Sequence, residues 1–124
     1  MSEILVIDDT PAVQRAIAAI LKHDGYRVTQ ADDGEEGLRL LEHFHFDLVI
    51  CDILMPKIHG GQVVAYLNTL PQRPKVIAIS GGGADITAQQ AIDTVRDKVD
   101  GFLEKPFEKE ILETMVSTLL ATPA

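Results

Sequence analysis

The residues from Leu48 to Pro56 read LVICDILMP. Their first four residues form a continuous apolar run, which predicts a strand buried on both faces, like the central strands of parallel sheets. The run ends at one carboxylate, Asp52, and the chain continues through three more apolar residues to a proline. Because a buried strand has no need of charge, Asp52 is the first candidate for a functional residue.

Short β-type runs alternate with helical patterns along the whole chain. The runs predict five strands, at residues 4–7, 26–30, 47–51, 75–79 and 101–103, and apolar residues at helical spacing between and after them predict five helices. Strict alternation of strand and helix favours parallel strands with right-handed crossovers and helices on both faces. We therefore expect an α/β fold with a single doubly wound, five-stranded parallel sheet.

Size and composition indicate one globular domain. The chain has 124 residues, 46% hydrophobic and 24% charged, and we expect a domain at 1–121 and a C-terminal tail at 122–124. The net charge of -8 disfavours direct nucleic-acid binding and a polybasic membrane anchor. No apolar run approaches the roughly 18 residues of a membrane span, and the chain opens without a signal-like segment, so we expect no membrane insertion and a cytoplasmic location. Cys51, the single cysteine, is expected to be a buried structural thiol.

Polar side chains stand at the carboxyl ends of four predicted strands, where open parallel sheets bind their ligands. They are Asp8 and Asp9, Asp52, Ser80 and Lys105. Three carboxylates brought together repel one another unless a cation lies among them, and Mg²⁺ prefers such oxygen ligands. A carboxylate can also attack phosphorus to give an aspartyl phosphate. This edge of the sheet is therefore the predicted functional site.

The four motifs VIDD, CDILMP, AISG and FLEKPF, in this order and at these spacings, resemble the receiver domain of two-component response regulators. The resemblance runs from about Glu3 to the last helix. It implies a flavodoxin-like (βα)5 fold with strand order 2-1-3-4-5. It also implies specific site residues: Asp52 as the phosphoacceptor; Asp8, Asp9, Asp52 and the backbone carbonyl of Ile53 as Mg²⁺ ligands; Ser80 and Lys105 as contacts of the phosphoryl group; Ser80 and Phe102 as switch residues; and Pro106 as a candidate for a cis peptide bond.

The same resemblance implies a regulatory function. The domain would receive a phosphoryl group on Asp52 from a sensor histidine kinase or a histidine phosphotransfer protein of a phosphorelay. Phosphorylation would then change binding to a downstream effector protein or effector domain, or convert a monomer to a homodimer. The domain would be no enzyme beyond catalysing its own phosphoryl transfer and dephosphorylation.

Four positions depart from the common pattern of this family. Leu54 and Gly82 stand where polar side chains can influence hydrolysis, and neither can orient a water molecule, so we hypothesise slow self-dephosphorylation assisted by an outside phosphatase. His59 replaces a more common acidic or amide residue. Lys98 stands where a glycine commonly ends the fourth helix.

Competing interpretations use the same residues. A Mg²⁺-dependent aspartyl-phosphate phosphatase of the haloacid dehalogenase kind also has a strand-end aspartate nucleophile, but it needs a second aspartate where Leu54 stands. A nucleotide-binding protein is a weaker alternative, because no glycine-rich nucleotide motif follows the first strand. A flavodoxin-like binder is compatible with the fold alone, but the loop after the first strand is acidic, which is wrong for a flavin phosphate. Taken singly, Asp8 is a helix cap, Ser80 a turn residue and Lys105 a surface cation.

Overall fold

The computed structural model describes residues 2–53, 60–81, 90, 93 and 95–122. These residues form five strands and four α-helices with defined bounds. The strands are β1 (Glu3–Ile7), β2 (Arg27–Ala31), β3 (Leu48–Asp52), β4 (Lys75–Gly81) and β5 (Gly101–Lys105); the helices are α1 (Pro11–His23), α2 (Gly34–His43), α3 (Gly60–Leu67) and a C-terminal helix (Lys109–Ala121). Strands and helices alternate as the sequence predicts.

All strand pairs are parallel, and the order in the sheet is β2-β1-β3-β4-β5. This confirms the predicted doubly wound, flavodoxin-like fold. The sheet reverses its order between β1 and β3, where Ile7 is the register partner of Cys51. Asp8 and Asp52, the residues that follow this pair, are thereby placed at the switch point of the sheet.

Two of the predicted strands end too early. The sequence predicts strand ends at residues 79 and 103, but β4 continues through Gly81 and β5 through Lys105. The reason is that Ser80 pairs with Glu104 and Gly81 pairs with Lys105, so backbone pairing continues through polar residues that have no β pattern. The extension makes Lys105 part of the sheet.

Each face of the sheet carries its own apolar core. Because side chains alternate along a strand, Leu5 and Ile7 face one core while Ile4 and Val6 face the other. Helices α2 and α3 cover the first core, and α1 and the C-terminal helix cover the second. Every residue of β3 is buried, which agrees with its continuous apolar sequence.

Gly37 lets α2 lie directly on β1. A Cβ atom at this position would overlap Cδ1 of Ile7 and come within 2.9 Å of Ile7 Cγ1. Ile7 is fully buried and immediately precedes Asp8. The close approach of α2 therefore constrains the strand end from which the first acidic residues project.

Only part of the fourth predicted helix falls on described residues. Gln90, Asp93 and Val95 are helical, and the segment ends in a 3₁₀ turn at Arg96–Lys98. The Lys98 carbonyl accepts hydrogen bonds from Asn68 Nδ2 at 3.1 Å and from an Arg73 guanidinium nitrogen at 2.9 Å. Side-chain donors thus hold this end, where the sequence lacks a glycine. No helix in the described part of the chain is long and apolar enough to cross a membrane.

Candidate functional site

The carboxyl edge of the sheet brings Asp8, Asp9 and Asp52 together. One carboxylate oxygen from each lies within 4.8 Å of the other two. Asp8 is fully buried and Asp52 is 3% exposed, while Asp9 faces solvent. The donor set consists entirely of hard oxygen atoms and is open on one side, which fits a Mg²⁺ ion that keeps some of its waters.

Lys105 places an ammonium group between the two buried carboxylates. Its Nζ lies 2.9 Å from Asp8 Oδ2 and 3.1 Å from Asp52 Oδ2. Burial by itself lowers the pKa of Lys105, but the hydrogen bond to Asp8 and the charge of Asp52 outweigh it and raise the pKa above its ordinary value of 10.5. The side chain is therefore a cation at neutral pH and partly neutralises the acidic cluster.

Asp8 uses its two carboxylate oxygens differently. Oδ1 accepts a hydrogen bond from the Thr10 N–H at 2.8 Å, and Oδ2 faces Lys105. The simple interpretation of Asp8 as a helix cap is wrong, because Thr10 is the N-cap residue of α1 and Asp8 Oδ1 binds the N–H of Thr10 rather than one inside the helix. The other oxygen belongs to the site.

Ser80 presents a buried hydroxyl group at the same edge. It follows Ile79, the register partner of Asp52, and it is fully buried. Its Oγ has no hydrogen-bond partner among the residues that the structure describes. Because an unsatisfied buried hydroxyl costs about 1–3 kcal/mol, Ser80 is a group for which a ligand would supply a partner.

Three further predicted site residues fall on described parts of the chain. Ile53 is buried, and its N–H donates to the Ile79 carbonyl at 3.0 Å. Phe102 is half-buried against the core under α2 and α3, with the Arg96 guanidinium carbon 5.8 Å from the centre of its ring. The Lys105–Pro106 peptide bond is cis. Leu54, His59 and Gly82 lie outside the described residues.

Cys51 directly precedes the candidate acceptor but has the properties of a core residue. It is fully buried, and its thiol contacts the Asp52 carbonyl at 3.4 Å. Burial raises the pKa of the Cys51 thiol, and the charges of Asp52 and Asp8 raise it further. The thiol stays protonated, which agrees with the predicted structural role.

Gln14 is a buried polar residue that the sequence did not identify as part of the site. It lies on α1, is 5% exposed, and its amide donates to the Asp8 carbonyl at 3.0 Å. The available signal was its position three residues before Ile17 and seven before Leu21, on the buried stripe of α1. A polar residue in such a stripe needs buried partners, but the spacing does not say which ones.

The model of the response regulator receiver domain family matches residues 4–117. The chain belongs to this family. The match covers the whole sheet except Glu3 and most of the C-terminal helix, and it confirms the family predicted from the four motifs. Receiver domains carry phosphorylation-dependent regulation and bind Mg²⁺ at an acidic pocket, and the described part of this chain contains a cluster of three aspartates.

This receiver domain is similar to parts of longer curated proteins. Response regulator RR06 of Streptococcus pneumoniae serotype 2 is 32% identical over 117 residues, which cover 94% of this chain and 52% of that protein. The CAI-1 autoinducer sensor kinase/phosphatase CqsS of Vibrio cholerae serotype O1 is 31% identical over 92% of this chain and 17% of that protein. The chain thus spans about half or less of the length of these relatives.

Solved receiver structures superpose closely on this one. The receiver domain of a signal transduction histidine kinase from Syntrophus aciditrophicus has a TM-score of 0.86 at 27% identity, covering 100% of this chain and 96% of that one. The response regulator TrrA of Thermotoga maritima, solved in complex with Mg²⁺ and BeF, has a TM-score of 0.82 at 29% identity, covering 96% of this chain and 99% of that one.

Proposed function

We propose that this receiver domain is the phosphoacceptor switch of a two-component phosphorelay and that Asp52 is the acceptor. The observation that carries the proposal is the placement of the Lys105 ammonium between Asp8 and Asp52, with the Asp9 carboxylate within 4.8 Å of both. A nucleophilic carboxylate, a cation and a set of metal ligands are the elements that phosphoryl transfer requires.

Asp8, Asp9, Asp52 and the Ile53 carbonyl would hold Mg²⁺ in this proposal. When bound, Mg²⁺ neutralises charge on the transferring phosphoryl group. An Asp52 oxygen attacks phosphorus in line with the phosphorus–nitrogen bond of a phosphohistidine. That bond breaks, its electron pair returns to the imidazole nitrogen, and Asp52 becomes an acyl phosphate.

Lys105 and Ser80 would bind the phosphoryl group after transfer. Lys105 already lies at the acceptor oxygen, 3.1 Å from Asp52 Oδ2, and can donate to a phosphoryl oxygen. The buried Ser80 hydroxyl, which lacks a partner in the described part of the chain, would gain one. Movement of Ser80 would change the space available to the half-buried Phe102 ring. The surface altered in this way would be read by an effector protein or domain, or by a second copy of the chain.

A groove beside the site supports a protein as the phosphoryl donor. It has a volume of about 520 Å³ and lies between α1 and the segment after β5, lined by Val13, Ala16, Ile20, Pro106 and Phe107, with Lys105 at its edge. A donor protein must cover Asp52 to place its phosphohistidine in line, and the apolar lining next to Lys105 offers it a contact surface. We therefore propose a sensor kinase or histidine phosphotransfer protein in the cytoplasm as the donor.

The test is intact-mass spectrometry after incubation with acetyl phosphate, with Mg²⁺ or with EDTA. We expect the wild type to gain one phosphoryl group only with Mg²⁺, and Asp52→Asn to gain none. Asp33→Asn is the matched control, because Asp33 is not one of the three clustered aspartates, its side chain caps α2, and asparagine caps equally well. An equal gain by Asp52→Asn would place the acceptor elsewhere and refute the proposal.

The same mass measurement also tests the donor and the lifetime of the phosphoryl group. Ala16→Arg is expected to slow transfer from a phosphorylated histidine phosphotransfer protein and to leave transfer from acetyl phosphate unchanged.

Slow self-dephosphorylation is proposed from Leu54 and Gly82 alone. A rapid loss of the added mass after removal of the donor, unchanged when these two positions are made polar, would contradict it.

A further inference from the structure

Gln14 is the centre of a buried hydrogen-bond network behind the acidic cluster. Its Nε2 lies 3.0 Å from the Asp8 carbonyl, 2.9 Å from the Ala31 carbonyl and 3.0 Å from Asp32 Oδ1. Its Oε1 accepts a hydrogen bond from Gln30 Nε2 at 2.8 Å, which fixes the orientation of the amide. One side chain of α1 thus joins the end of β1 to the end of β2.

The network begins where the pairing of β1 with β2 ends. Ile7 and Ala31 are the last register partners, and the Asp8 N–H still donates to the Ala31 carbonyl at 3.2 Å. The β1–β2 register stops at this pair, so within the described residues the Asp8 carbonyl is bound not by a strand N–H but by the Gln14 amide. The Gln14 amide therefore holds the backbone of Asp8 at the point where strand pairing no longer does.

Each of the four polar atoms of Asp8 thus has a contact. Its N–H is bound to Ala31, its carbonyl to Gln14, one carboxylate oxygen to Thr10, and the other faces Lys105. We propose that Gln14 is a positioning residue of the Mg²⁺ site, which fixes the backbone of Asp8 so that its carboxylate is preorganised for the cation. The proposal rests on the proposed function only in taking the acidic cluster as a Mg²⁺ site.

A purely structural role makes a different prediction. If Gln14 serves only to satisfy two buried carbonyls, its loss lowers the stability of the fold and leaves Mg²⁺ affinity unchanged. If it positions Asp8, its loss weakens Mg²⁺ binding even in protein that remains folded. Residues that orient metal ligands typically change metal affinity by about 10–100-fold when they are replaced.

The experiment is a Mg²⁺ titration followed by two-dimensional amide NMR, which reports the fold and the dissociation constant in one measurement. Gln14→Met keeps the length of the side chain and removes both donors. Gln30→Ala leaves the donors and frees the amide to rotate. Asn68→Ala is the matched control, because the Asn68 amide also bridges two carbonyls, those of Val64 and Lys98, away from the cluster.

We expect Gln14→Met to raise the Mg²⁺ dissociation constant about tenfold, Gln30→Ala to raise it about threefold, and Asn68→Ala to leave it unchanged. The Mg²⁺ concentration for half-maximal phosphorylation by acetyl phosphate should rise by the same factors, with the rate at saturating Mg²⁺ within about twofold of the wild type. A folded Gln14→Met with wild-type Mg²⁺ affinity would overturn the proposal. If Gln14→Met does not fold, the result for Gln30→Ala decides in the same way.

The two proposals fail separately. A wild type that binds Mg²⁺ but takes no phosphoryl group would refute the proposed function and leave the role of Gln14 to the titration. A wild type that binds no Mg²⁺ at its acidic cluster would overturn the role of Gln14 as well.

Discussion

Replacing Lys105 by methionine removes the one ammonium that the described structure places between the buried carboxylates of Asp8 and Asp52. Two unit charges no more than 4.8 Å apart repel by at least about 3.5 kcal/mol at an effective dielectric constant near 20. Removing one partner of a buried ion pair costs about 3–5 kcal/mol. The Lys105 side chain is 18% exposed, so solvent screening places the expected loss at the low end, about 3 kcal/mol.

The expected loss depends on Mg²⁺. In EDTA we expect Lys105→Met to unfold about 10 °C below the wild type, since about 1 kcal/mol corresponds to roughly 3–4 °C for a domain of this size. Saturating Mg²⁺ should recover most of the difference, because the ion replaces the missing positive charge. Asp52→Asn in the Lys105→Met background should also recover it, because it removes one of the repelling charges.

These differences in melting temperature can be measured by circular dichroism in EDTA and in Mg²⁺. The method needs no tryptophan fluorescence, and the chain has no tryptophan. Lys98→Met is the control, because it removes the same charge from an exposed side chain. Equal melting of Lys105→Met and the wild type in EDTA would refute the reasoning. So would a deficit that neither Mg²⁺ nor Asp52→Asn reduces, because the loss would then come from packing and not from charge.

Three other predictions follow from single contacts. Gly37→Ala should cost about 1–3 kcal/mol in urea unfolding, because the added methyl group overlaps Ile7, whereas Gly61→Ala, with its closest contact at 3.7 Å, should be neutral or stabilising; equal losses would contradict this. Cys51 should resist alkylation by iodoacetamide in the native state and react fully in urea, and rapid native labelling would refute its burial. The stability difference between the wild type and Lys105→Met should stay constant from about pH 7 to about pH 10 and shrink as the pH rises past 10.5, because a raised lysine pKa stabilises only while the group is protonated; a difference that already shrinks between pH 7 and pH 10 would contradict the sign.

The fold, and the edge of the sheet at which the candidate site lies, could be predicted from the sequence for a simple geometric reason. Carboxyl ends of parallel strands meet at one edge, so Asp8, Asp52 and Lys105 could be brought together from strand positions alone. The strand ends at Gly81 and Lys105 were missed because polar residues without alternation carry no β signal. Backbone pairing there is decided by the partner strand.

The Gln14 network was beyond sequence reasoning for a different reason. Gln14 and Ala31 are 17 residues apart, and their hydrogen bond depends on how α1 sits over the end of β2. No local pattern encodes that placement. The same is true of Arg73 and Asp100, whose 2.9 Å ion pair joins the segment before β4 to the one before β5. Side-chain contacts between distant elements become visible only when the elements are packed.

The charges of the site explain why one phosphoryl group can act as a switch in the proposed function. With Mg²⁺ bound, the three carboxylates would be balanced by the Lys105 ammonium and the ion, so the resting cluster would be close to neutral. An acyl phosphate at Asp52 replaces one negative charge by about two, which leaves an excess of negative charge in a largely buried place. Lys105 and Mg²⁺ would already be engaged with the carboxylates, and within the described residues the Ser80 hydroxyl is a buried donor that still lacks a partner. A hydrogen bond from the Ser80 hydroxyl to the phosphoryl group would give both groups a partner. Forming it would move β4 at Ser80, next to the pairing of Ala78 with Phe102.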